Sequence, residues 1–218
     1  MPIINLVYEA PREWKPWSNT LAYYKFDWNL NDSSWNSRNF TSNWTVSYWT
    51  ETWWGKYIYF NSWAYTNNLS IPYKSDWYTI SLCGKYVSWN KYLLDFQPST
   101  SASQWNRFQY LSSTSLYIGW GSWITVPNMS NWYNMVIVNT GNKSKLYMNW
   151  EYKWYADLAS WDTTSQYFRL NSVWYTNSNY WNYAWPNYMW RLIVENKWWT
   201  EDEIVNDFNN IKSLYWIS

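Results

Sequence analysis

Tyr23-Tyr24-Lys25-Phe26-Asp27-Trp28-Asn29-Leu30-Asn31-Asp32-Ser33-Ser34-Trp35-Asn36 is the stretch on which the fold turns. Its lead-in, Leu21 to Asp27, alternates: Leu21, Tyr23 and Lys25 share one face, and Ala22, Tyr24 and Phe26 the other. A period of two predicts a strand. The remainder is turn chemistry, with Asn, Asp and Ser in close succession. Trp28 and Trp35 stand where such turns favour glycine, as Asp27-Trp28-Asn29 and Ser34-Trp35-Asn36.

That substitution recurs along the chain. There are 25 Trp and only 5 Gly in 218 residues, where average usage of ~7% predicts roughly 15 Gly. Asn149-Trp150-Glu151 and the stretch from Asn182 to Pro186, with Trp185 inside it, become ordinary turn signals when Trp is read as Gly. Trp216 stands where a glycine would end a helix. The hypothesis drawn from this pattern is that many Trp correspond to UGA codons translated as glycine in the source. Richness in Asn, Tyr, Ile and Lys fits the A/T-rich coding in which such reassignment occurs.

Working outward, further short alternating segments predict strands at Tyr57 to Asn61, Tyr78 to Tyr86, Tyr92 to Phe96, Trp105 to Tyr110 and Ser115 to Ile118. Asn134 to Asn139, a turn at Thr140-Gly141-Asn142, and Ser144 to Asn149 read as a hairpin. Tyr167 to Leu170 and Met189 to Glu195 are two late strands. Many short strands joined by turns predict an all-β, two-sheet antiparallel jelly-roll sandwich. One helix is expected at about 200–214. Thr200 and Glu203 form a capping box, Glu201 and Asp202 complement the dipole, and Ile204, Phe208, Ile211 and Tyr215 make an apolar stripe. Residues 1–18, with Pro2, Pro11 and Pro16, read as an extended arm, and residues 19–218 as one domain.

Composition removes several classes of function. Lys+Arg 16 against Asp+Glu 15 gives a net charge of +1, without the basic footprint that nucleic acid requires. With no histidine, Ser-His-Asp and Cys-His catalysis and histidine metal sites are excluded. Cys83, the single cysteine, lies in an apolar run and reads as a buried, inert thiol. No apolar run reaches the ~20 residues of a membrane span. Met1 to Ala10 shows no signal-peptide pattern, so the address stays open between cell surface, extracellular medium and virion.

From Leu21 to Asn206 the chain resembles the LamG-like jelly rolls of the concanavalin A-like lectin/glucanase superfamily. The opening stretch is similar to the family's Y-x-F-D-G-N-L-N-D-S-S-G-N, with Trp28 and Trp35 at its two glycines. Gly55 to Asn61 is similar to G-K-A-L-Y-F-D/N, and Tyr78 to Leu82 to F-T-I-S-x-W. Trp132 to Val138 resembles W-H-H-V-A-V, with Trp132 at a family Trp, and Lys145 to Trp150 resembles K-L-Y-V-N-G. Trp190 to Lys197 and Trp199 to Ile204 are similar to the family's closing segment, loosely spaced and without its paired acids. Trp132 and Trp199 read as genuine structural tryptophans.

The resemblance implies binding rather than catalysis. Glucanases on this fold carry a strand-borne Glu-x-Asp-x-Glu, and this chain has none. No catalytic residue is expected: Glu201-Asp202-Glu203 serves the helix start, and Glu151, Asp157 and Asp162 are scattered. Many relatives bind Ca²⁺, which takes six to eight hard oxygens. Asp27, Asn29, Asn31, Asp32 and Ser34 could supply some of them, or could instead be local Asx-turn acceptors. Tyr175, Asn177, Asn179, Tyr180, Asn182 and Tyr183 form a Tyr/Asn-rich segment that is either a ligand-binding loop or a polar connection. Trp174, Trp181 and Trp185 beside it are discounted as glycine positions. The expected function is a non-catalytic recognition or adhesion module for a glycan or cell-surface protein. The alternative is a structural component of a particle or appendage, assembled through the N-terminal arm.

Overall fold

The structure is a computed structural model describing residues 16–42, 46–51, 55–60, 69–71, 78–87, 91–98, 107–118, 122–140, 144–156, 166–170 and 187–215. Two antiparallel sheets face one another. The first contains β1 (Thr20–Tyr24), β2 (Ser47–Glu51), β3 (Gly55–Phe60), β5 (Tyr78–Lys85), β10 (Trp132–Asn139), β11 (Ser144–Met148), β12 (Glu151–Ala156) and β14 (Asn187–Glu195). Its order is β12-β11-β10-β5-β14-β3-β2. One edge of β14 is shared: Asn187 to Met189 pair with β3, and Leu192 to Glu195 with β1. The second sheet runs β4 (Leu69–Ile71), β13 (Gln166–Leu170), β6 (Lys91–Pro98), β7 (Arg107–Ser112), β8 (Ser115–Ile118), β9 (Ser122–Thr125). The α-helix α1 spans Glu201–Tyr215.

Alternation along the central strands places one set of residues between the sheets. Ile80 and Leu82 of β5, Met135 and Ile137 of β10, and Leu192 and Val194 of β14 meet Leu116 and Ile124 from the second sheet. Ala22, Tyr24 and Phe26 join them, as the alternation of the opening stretch predicts. Each fully buried aliphatic side chain contributes roughly 1.5–3 kcal/mol. Packing is close at Gly84 within this layer: a Cβ there would lie 2.9 Å from the Tyr133 hydroxyl and 3.1 Å from the Tyr188 carbonyl.

The opposite face of the first sheet is also buried, because α1 lies on it. Tyr23, Val136, Val138 and Ile193 pack with Trp199 and Ile204. Tyr57, Cys83 and Trp132 pack with Phe208 and Ile211. Cys83 is therefore a buried thiol, and burial pushes it up to about 11. The hairpin of β10 and β11 has the expected register, with Asn139 opposite Ser144. Strands β2, β4, β9 and β12 come in addition to those predicted from the alternation.

The tryptophans divide by backbone and burial. Trp132 and Trp199 are each 6% exposed, within the packing under α1. Trp28 and Trp150 are about half exposed, with φ of 87° and 69°, in the left-handed region that favours glycine. Asn149 has φ 49° beside Trp150, so the two residues between β11 and β12 both have positive φ, as a type I′ turn requires. Trp35 is 82% exposed outside the left-handed region, and positive φ falls on Ser37 instead. Trp190 is half-buried, outside that region too, at the register shift where β14 passes β5. Trp185 and Trp216 lie outside the described residues.

Candidate functional site

The helix is placed by its cap and by a polar layer beneath it. Thr200 N donates to Glu203 Oε2 at 2.9 Å, and Glu203 N donates to Thr200 Oγ1 at 3.3 Å, a reciprocal capping box. Below it, Arg191 of β14 donates to both carboxylate oxygens of Asp207, at 2.8 and 2.5 Å. Both side chains are almost fully buried. Burial opposes the guanidinium charge, but Asp207 more than compensates and holds Arg191 above its ordinary value. Ser81 Oγ donates to Asp207 at 3.2 Å and accepts from Asn134 Nδ2 at 3.3 Å, extending the network across β5 and β10. Half-satisfied buried networks are costly, and here Asn134 Oδ1 and Arg191 Nε have no partner among the described residues.

A second set of bonds ties the lead-in of β1 to the approach to α1. Thr20 Oγ1 donates to Glu195 Oε1 at 3.1 Å, and Trp199 Nε1 donates to Glu195 Oε2 at 2.5 Å. Burial raises the Glu195 carboxyl above the ordinary carboxylate range, against the pull of these two donors. Thr79 Oγ1 accepts from Trp199 N at 2.9 Å and donates to the Lys197 carbonyl at 2.7 Å.

Between these supports lies a groove of about 320 Å³, bounded by residues 17–19 on one side and α1 on the other. That volume is within the range of small-ligand sites, ~300–1,000 Å³. Asn206 and Asn210, one turn apart on α1, present exposed side chains along one wall, and Trp17 and Asn19 are exposed on the other. Glu195 and Asp207 line the floor. Lys197 and Glu203 are ion-paired at its side. Burial works against the Glu203 charge, yet Lys197 and the Thr200 backbone hold its carboxyl below the usual range. All three carboxylates have both oxygens engaged: Asp207 by Arg191, Glu195 by Thr20 and Trp199, and Glu203 by Lys197 and Thr200.

The loop after β1 is organised around one carboxylate. Asp32 is buried, and its Oδ1 accepts from Tyr23 N at 2.9 Å and Ser34 N at 2.8 Å. Its Oδ2 accepts from Arg38 N at 2.9 Å and Ser34 Oγ at 2.8 Å. Asn29 Oδ1 accepts from Asn31 N at 2.8 Å, and Ser34 Oγ from Asn36 N at 3.3 Å. Hydrogen-bond donors therefore converge where a cation would need free lone pairs. At Asn29, Asp32 and Ser34 these bonds make local Asx and Ser turns, and the oxygens they occupy are ones a Ca²⁺ ion would draw on. Among the described residues no group of three or more His, Cys, Asp or Glu could hold a metal ion.

Tyr175, Asn177, Asn179, Tyr180, Asn182 and Tyr183 lie outside the described residues, as does most of the N-terminal arm. The groove was not predicted from sequence. Its one sequence signal is the Asn206/Asn210 spacing on the polar side of α1, which reads equally well as a solvated helix face. Among the described residues no helix is long and apolar enough to cross a membrane.

No family model and no curated protein sequence matches the chain. Solved structures do. Domain 4 of AbnA, a GH43 extracellular arabinanase from Geobacillus stearothermophilus, solved in complex with arabinotriose, is similar with a TM-score of 0.63 at 16% identity. That likeness covers 87% of this chain and 98% of the domain. A botulinum neurotoxin type C structure, described as entering cells through interaction with two ganglioside molecules, is similar with a TM-score of 0.63 at 11% identity. The binding domain of Paraclostridial Mosquitocidal Protein 1 is similar with a TM-score of 0.59 at 15% identity. The chain covers 88% of itself in both toxin likenesses but spans only about half of each toxin chain (51% and 52%). At these identities the likeness is one of fold, and the fold it establishes is the two-sheet β-sandwich.

Proposed function

We propose that this chain is a non-catalytic glycan-recognition module, built on a LamG-like variant of the concanavalin A-like sandwich and acting in adhesion to a cell surface. The observation that carries the reading is the groove beside α1, where exposed amides and an indole surround carboxylates that are already engaged. The AbnA domain bound to arabinotriose and the ganglioside-dependent toxin support it as proteins of the same fold that meet sugars. The segment holding Tyr175, Asn177, Asn179, Tyr180, Asn182 and Tyr183 is a second place where a glycan could be read. A glycan array probed with the full chain tests the proposal. Binding to a restricted set of glycans is expected, and binding to none would overturn it.

Recoding of tryptophan belongs to the same reading, because it decides which aromatic surfaces exist. We read positions 28 and 150 as glycine in the native protein, on the strength of their left-handed φ and exposed indoles. Position 35 rests on its Ser34-Trp35-Asn36 turn setting and the family pattern, and position 190 on the glycine that opens the family's closing segment. Tandem mass spectrometry of natively produced protein, reading positions 28, 35, 150 and 190, decides the matter. Tryptophan at positions 28 and 150 would sink the idea.

A further inference from the structure

The charges of the groove restrict what it can bind. Three carboxylates line it, from Glu195, Glu203 and Asp207, and the cations beside them are committed. Arg191 spends both terminal nitrogens on Asp207 and Ser81 under the helix, almost fully buried. Lys197 is paired with Glu203. A sialic or uronic acid entering here would bring a further negative charge to a site whose cations already have partners. Desolvating a carboxylate without a counter-ion is strongly unfavourable.

The exposed groups have a different chemistry. A side-chain amide offers two N–H donors and a carbonyl acceptor, and a sugar hydroxyl both donates and accepts. Asn206 and Asn210, at i and i+4, face the same way along the helix, with Cβ atoms roughly 5–6 Å apart. Asn19 lies on the facing wall, and Trp17 adds an apolar face for the C–H side of a sugar ring. The three Asn and Lys197 do not depend on how any Trp codon is read.

We infer that the groove between residues 17–19 and α1 binds an uncharged saccharide through Asn206 and Asn210, and discriminates against sialylated and uronic-acid glycans. This rests on the glycan-recognition reading above and narrows it to one site and one ligand class. The test is an array in which each neutral glycan has an acidic counterpart, probed with the full chain and with an Asn206→Ala/Asn210→Ala double variant. Both side chains are exposed, so the variant should keep the wild-type melting temperature. Neutral members are expected to bind more tightly than their acidic counterparts, and the double variant to weaken them about tenfold or more. Preference for acidic members would overturn the inference while leaving glycan recognition standing. So would unchanged neutral binding by the folded double variant. Binding to no member would overturn the broader reading itself.

Discussion

The turn between β11 and β12 allows the glycine requirement to be measured directly. Asn149 and Trp150 have φ of 49° and 69°, and Met148 pairs with Glu151 on either side. A residue with a Cβ in the left-handed region costs roughly 1–2 kcal/mol. Glycine relieves that strain, but loses roughly 0.5–1 kcal/mol of chain entropy relative to Ala. Replacing Trp150 by Gly also removes a half-buried indole, and comparison with Trp150→Ala cancels that loss. W150G should therefore be more stable than W150A by about 1 kcal/mol. Trp35 supplies the control, being exposed outside the left-handed region. There the order should reverse, with W35A more stable than W35G by about 0.5–1 kcal/mol. Urea denaturation of the four variants reads these differences as shifts in midpoint at constant slope. For a chain of this length 1 kcal/mol is also a change of about 2–4 °C in Tm. The same order of Gly and Ala at both positions would refute the reasoning.

Three further outcomes are expected. Asp32→Ala strands four hydrogen-bond donors and should cost about 2–4 kcal/mol in urea, while millimolar calcium or EDTA leaves the Tm of the wild type unchanged. A Tm raised by calcium would show a cation site that the donors around Asp32 argue against. Asp207→Asn breaks the buried pair with Arg191 and should cost about 3–5 kcal/mol, most of it recovered in an Arg191→Met/Asp207→Leu double variant if desolvation is the cause. A double variant no more stable than the single would assign the loss to packing. Glu195, with its carboxyl raised by burial, stabilises the fold fully below the ordinary carboxylate range and loses that contribution as pH rises through its folded value. Wild-type stability should therefore fall over that window, and a Glu195→Gln variant should lack the fall. Parallel pH profiles for the two proteins would count against it.

Legibility in the sequence followed the range of the interaction. The period-two pattern of Leu21 to Phe26, the β10–β11 hairpin and the Thr200/Glu203 cap are local, and each was readable because its partners lie within a few residues or one turn. The same locality made Trp28 and Trp150 conspicuous, since turn chemistry is written in adjacent residues. Strands β2, β4, β9 and β12 were not visible: β4 (Leu69–Ile71) and β9 (Ser122–Thr125) are too short for a period of two to show, and in β2 and β12 Trp and Tyr fall on both faces.

Residue types and short-range order by themselves determined an all-β sandwich closed by one capped helix, and ruled out histidine chemistry. They could not say that α1 lies on the outer face of the first sheet, which buries Arg191 against Asp207 across 16 positions and Ser81 across 126. Nor could they bring Asn19 opposite Asn206 and Asn210. Asp32 shows the division within one residue. The sequence offered it as a turn acceptor or a calcium ligand, and the tertiary structure brings donors from Tyr23, Ser34 and Arg38 to its two oxygens. Which donors reach a carboxylate depends on what the folded chain brings within hydrogen-bond distance, and that proximity is a property of three dimensions.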